Sequence, residues 1–122
     1  MKSILVADDQ PMMRVMVRAM LASNVAYEVR EAEDGADALA LARQYHPDLV
    51  LLDVEMPRMS GPELCAALKA APDTREIPIL MMSGRAAGDV EGYALMADSD
   101  GFFQKPFRGS ALLARMKELL GE

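Results

Sequence analysis

Three acids, a hydroxyl and an ammonium stand at the ends of apolar runs in this chain of 122 residues. Asp8 and Asp9 follow Ser3-Ile4-Leu5-Val6-Ala7, and Asp53 follows Leu49-Val50-Leu51-Leu52. Ser83 follows Ile77-Pro78-Ile79-Leu80-Met81-Met82, and Lys105 follows Phe102-Phe103-Gln104. If the runs are parallel strands of one sheet, all five groups meet at one edge. Three carboxylates about 4–5 Å apart would repel by roughly 3–4 kcal/mol per pair at an effective dielectric near 20. One lysine does not balance three acids, so the economical counter-charge is a divalent cation. Oxygen-only ligands suit Mg²⁺ or Mn²⁺ rather than zinc. A hydroxyl and an ammonium beside a metal-bound carboxylate are the parts that handle a phosphoryl group, with backbone N–H groups just past a strand adding donors. A carboxylate can itself take that group as nucleophile.

The elements that must position these groups alternate along the chain. Short apolar runs bounded by turn residues read as strands buried on both faces. They fall at Ser3–Ala7, Leu49–Asp53, Ile77–Met82 and Phe102–Gln104, with a more polar strand, Tyr27–Ala32, nearer an edge. Pro11 opens a helix running to about Ala22, with Val15, Met16, Ala19, Met20 and Met12 at core-facing spacing. Further helices are expected over Ala36–Tyr45, Pro62–Ala70, Asp89–Ala97 and Gly109–Leu120. The last carries a strong stripe of Leu112, Leu113, Met116, Leu119 and Leu120, and Gly121 is suited to stop it. Five strand–helix alternations argue for an α/β fold: a parallel sheet covered on both faces, with every strand's carboxyl end on one edge.

Composition narrows the classes. One domain of this length buries a real core. The net charge of -6 disfavours a nucleic-acid surface and allows a cation site and basic partners. A single cysteine, Cys65, forms no internal disulfide, which suits a reducing compartment; it is expected to be a small packing residue. Only four apolar residues separate Ser3 from Asp8, too few for a signal peptide, and no run approaches a membrane span. A cytoplasmic protein is the expectation. His46, the only histidine, reads as a surface loop residue. The eleven methionines are expected to be mostly core filler.

Four segments resemble response-regulator receiver domains of the CheY-like family. They are Val6-Ala7-Asp8-Asp9, Leu51-Leu52-Asp53-Val54-Glu55-Met56-Pro57 with Met59 and Gly61, Met82-Ser83-Gly84, and Lys105-Pro106-Phe107. The resemblance covers residues 1–122 as one receiver domain with no output domain. It implies a doubly wound, five-stranded sheet in the order 2-1-3-4-5. It also implies a phosphorylation-activated signalling switch rather than an enzyme acting on a separate substrate. Asp53 would accept a phosphoryl group from a histidine kinase or phosphotransfer protein. Asp9 would bind Mg²⁺ (or Mn²⁺) directly, Asp8 mainly through water, and Glu55 through its backbone carbonyl. Ser83, Lys105 and the Gly84 N–H would hold phosphoryl oxygens, and the Lys105-Pro106 bond would be cis. Phe102 stands where the family carries its switch aromatic; a plain core residue is the alternative there. The output face would be built from the Asp89–Ala97 helix, the fifth strand and the last helix, and would meet a downstream protein target. No direct nucleic-acid or membrane contact is implied, and the state would be a monomer or a phosphorylation-dependent dimer.

Asp98 departs from the glycine usual in the family. In the family, the positions that Glu55 and Arg85 occupy tune phosphoryl lifetime; here the two either pair across the mouth of the site or stand as two solvated charges. Two other classes compete. An aspartyl-nucleophile phosphohydrolase would use Glu55 as acid and base, and a degenerate receiver would work without phosphate.

Overall fold

The structure, a computed structural model, describes residues 1–22, 27–84 and 99–122. Five strands, β1 (Lys2–Ala7), β2 (Tyr27–Ala32), β3 (Leu49–Asp53), β4 (Ile79–Ser83) and β5 (Gly101–Gln104), form one parallel sheet in the order β2-β1-β3-β4-β5. The described helices are α1 (Pro11–Leu21), α2 (Gly35–Tyr45), α3 (Gly61–Ala70) and the C-terminal α4 (Gly109–Leu120). The expected helix over Asp89–Ala97 and the Asp98 position lie outside the described residues.

Side chains alternate across the sheet because the strand period is two. Leu5, Ala7, Val50, Leu52, Ile79 and Met81 face α2 and α3 in one core layer. Ile4, Val6, Leu49, Leu51, Leu80 and Met82 face α1 and α4 in the other. Every residue of β3 and β4 is buried, which is why both read as unbroken apolar runs. The more polar β2 lies at a sheet edge, as its composition led us to expect. β4 starts at Ile79 rather than Ile77. Pro78 has no N–H to give the ladder, and only its carbonyl is used, accepting from Val50 N at 3.0 Å.

Helix ends follow from their residues. Asp34 caps α2 by accepting from Asp37 N at 2.8 Å. Ser60 and Glu63 form a capping box on α3. Gly121 closes α4 in the left-handed region at φ 73°, and His46, exposed, closes α2 at φ 49°. Cys65 is buried within α3, as expected.

The α1 face expected to point inward is a correction. Met12 is 70% exposed and Val15 58%, while Met16 and Ala19 are exposed as well. Met20 packs inward as expected, but the rest of the buried face is Val17 and Leu21, with Met13 against the same layer. The helix is apolar on two sides, so its spacing fits either phase. Long-range bonds decide: Arg14 and Arg18 both reach Glu31 on β2, at 3.0 and 2.9 Å. The methionines accordingly divide. Met81, Met82 and Met116 are buried, while Met1, Met12 and Met16 are exposed.

Gly61 sits where β3 hands its chain to α3. A β-carbon there would stand 2.5 Å from the Asp53 carbonyl oxygen and 2.8 Å from Leu52 Cδ1. Backbone cannot give way as a flexible side chain can. Gly61→Ala is therefore expected to cost about 2–3 kcal/mol, the upper part of the range for overpacking a tight interior. The cost is read as a lower urea midpoint with an unchanged slope.

Candidate functional site

The carboxyl ends of β1, β3, β4 and β5 meet at one edge. β1 and β3 run side by side, Ala7 opposite Leu52, so Asp8 and Asp53 emerge next to each other. Asp53 pairs with Met82, and Ser83 pairs with Gln104, one residue before Lys105. The Lys105 N–H donates to the Ser83 carbonyl at 2.7 Å, and the Lys105-Pro106 bond is cis, as expected. An open cavity of about 470 Å³ results, lined by Asp9, Gln10, Asp53, Glu55, Gly84 and Lys105.

Asp8, Asp9 and Asp53 each offer one carboxylate oxygen, all within 4.8 Å of one another. Lys105 Nζ lies 2.8 Å from Asp8 Oδ2 and 3.5 Å from Asp53 Oδ2. Asp8 is fully buried and held on all sides. Its N–H donates to the Ala32 carbonyl, its Oδ1 accepts from Gln10 N at 2.9 Å, and its carbonyl accepts from Arg14 Nη1 at 2.6 Å. Asp53 is 5% exposed, and that exposure opens into the cavity. Burial, and next the Asp8 charge, push its carboxyl up to about 6; Lys105 and the Glu55 N–H oppose the rise. These carboxylates fit a hard cation: oxygen donors only, three converging on one space, one exposed to solvent at Asp9.

Ser83 is buried, and its hydroxyl donates to Glu55 Oε1 at 2.9 Å. A β-carbon at Gly84 would meet nothing, so the backbone there opens onto the cavity. Phe102 does not line the cavity. It is partly buried and packs against the α2/α3 core layer. Arg85 lies outside the described residues. Sequence reasoning missed two contributors. Gln10 lines the cavity, and Arg14 fixes the Asp8 carbonyl while anchored to Glu31. An arginine one turn into the helix behind an acidic pair was the available signal.

Residues 4–117 match the family described as the response regulator receiver domain, and the chain belongs to that family. It is a receiver domain of the two-component type, a phosphorylation-activated signalling switch. Among curated relatives, response regulator MprA of Mycobacterium sp. (strain KMS) is 41% identical over 117 residues, covering 96% of this chain and 50% of the relative. The chain thus spans about half the length of the curated relatives it matches. Among solved structures, chemotaxis response regulator CheY4 of Vibrio cholerae superposes with a TM-score of 0.88 at 31% identity, over 98% of both chains. The receiver domain of sensor histidine kinase PA1611 from Pseudomonas aeruginosa PAO1, solved with a magnesium ion in its active-site cleft, gives 0.91 at 26% identity, covering 99% of this chain and 98% of that one. Among the described residues, no helix is long and apolar enough to cross a membrane.

Proposed function

We propose that Asp53 is the phosphoryl acceptor and that Asp8, Asp9 and Asp53, with the Glu55 backbone carbonyl, hold Mg²⁺ or Mn²⁺ beside it. The observation that carries this is the convergence of three carboxylate oxygens within 4.8 Å, with Lys105 against two of those residues. When bound, the cation supplies positive charge to acids and phosphoryl oxygens at once. The chain's own residues do the rest. The cavity leaves Asp53 open to a donor while Asp8, Arg14 and Gln10 keep the acidic loop in one shape. Lys105 neutralises a phosphoryl oxygen in a partly buried setting, where its charge is less screened than in water. Among the described residues, Gly84 N–H and the Ser83 hydroxyl are further donors for phosphoryl oxygens. Phe102, packed on the α2/α3 layer, is the ring that would respond when Ser83 turns toward the phosphate.

The donor on this reading is a histidine kinase or a histidine phosphotransfer protein in the cytoplasm, and a downstream protein reads the altered surface. A phosphohydrolase is disfavoured because its acid and base would have to be Glu55, whose carboxylate here accepts from Ser83 Oγ. The test is incubation with acetyl phosphate and intact-mass measurement. One phosphoryl group is expected with Mg²⁺, and none once EDTA has removed the metal. No uptake with Mg²⁺ present would defeat the assignment.

A further inference from the structure

We propose that Glu55 is a latch on Ser83: its carboxylate engages the Ser83 hydroxyl before phosphorylation, and capture of the phosphoryl group requires that bond to break. The proposal rests on the phosphoacceptor assignment above. Ser83 ends β4, and its backbone is held against β5, in register with Gln104 and through its carbonyl to Lys105 N. Rotation about the Cα–Cβ bond is the motion that redirects its hydroxyl. That hydroxyl carries one proton. It donates to Glu55 Oε1 at 2.9 Å, and it cannot donate to Glu55 and to a phosphoryl oxygen together. Glu55 touches both sides of the site: its N–H supports the Asp53 carboxylate while its side chain crosses from the end of β3 to the end of β4. Glu55 is exposed and lines the cavity, so its carboxylate faces the negative charge that a phosphoryl group brings there. Glu55 is a positioning residue in this scheme, acting on the site through Ser83.

Beryllofluoride with Mg²⁺, a non-covalent stand-in for the phosphoryl group on a carboxylate, tests the latch through its affinity, followed by ¹⁹F NMR. Hydrogen bonds to charged groups are strong enough that Glu55→Ala should tighten binding roughly tenfold. Part of any gain comes from removing a negative charge. In a Ser83→Ala background only that part remains, so the gain from Glu55→Ala should shrink to a few-fold at most. Equal gains in the two backgrounds overturn the latch. Glu55→Asp keeps the charge and shortens the reach, and it too should tighten binding without altering Ser83. Tightening by Ala but not by Asp assigns the effect to charge and also overturns the latch. A wild-type protein that binds no beryllofluoride overturns the phosphoacceptor assignment, and the latch with it.

Discussion

Asp53→Asn is expected to take up no phosphoryl group from acetyl phosphate or from a phosphorylated histidine partner. An amide is no nucleophile toward phosphorus, and the change removes one of the three carboxylates that converge on the cavity. Intact mass after incubation decides it: uptake equal to wild type would place the acceptor elsewhere. The same substitution has an opposite effect on stability. In the metal-free fold the Asp53 carboxyl is raised to about 6, against about 3.9 for a free aspartate. Stability linked to this group is therefore fully present below about pH 4 and lost as the pH rises through about 6. Asn does not titrate. In EDTA, Asp53→Asn and wild type should melt together near pH 4, while near pH 7 the variant should melt several degrees higher. Identical separation at both pH values would show that Asp53 ionisation is not the cause. Adding Mg²⁺ near pH 7 should narrow the gap, because a ligand that binds only the folded state stabilises it.

Lys105→Met should separate two properties that a simple loss of the site would abolish together. Its ammonium lies 2.8 Å from buried Asp8 and 3.5 Å from Asp53. Removing it strips a charge-assisted donor from the transferring group, and losses of this kind typically cost about 10²–10³ in rate. Labelling by acetyl phosphate should fall by about that factor. Cation affinity should not fall with it. With the ammonium gone, the acids are left with less counter-charge, so Mn²⁺ titration followed by electron paramagnetic resonance should show binding held or tightened. Without metal, the variant should be less stable by roughly 3 kcal/mol, since a buried carboxylate loses its partner. Parallel loss of labelling and of Mn²⁺ binding would mean that the edge had collapsed.

The strands and their terminal groups were legible because each central strand is one apolar run closed by a polar residue, or by two after β1. Leu49–Asp53 shows this most plainly, with all five residues buried. Spacing placed Asp8, Asp9, Asp53 and Lys105 correctly because a parallel sheet sends every strand's end to the same edge. What spacing did not carry was contact between distant side chains. Apart from Met20, the inward face of α1 was misread, since Met12, Val15 and Met16 obey the same period as Met13 and Val17. The choice between them depends in part on Arg14 and Arg18 bonding to Glu31, 17 and 13 positions away. Glu55 was recognised as a neighbour of the acceptor, but its bond to Ser83 spans 28 positions. Nothing local to either residue marks it.

The bond between Lys105 and Asp8 joins residues 97 positions apart. A polypeptide still emerging from the ribosome holds Asp8, Asp9 and Asp53 long before it holds the ammonium that faces them. On the roles proposed above, a nascent chain stays refractory to its donor until β5 has been made and threaded into the sheet. Competence to accept the group therefore arrives with β5, and not with the acids that precede it.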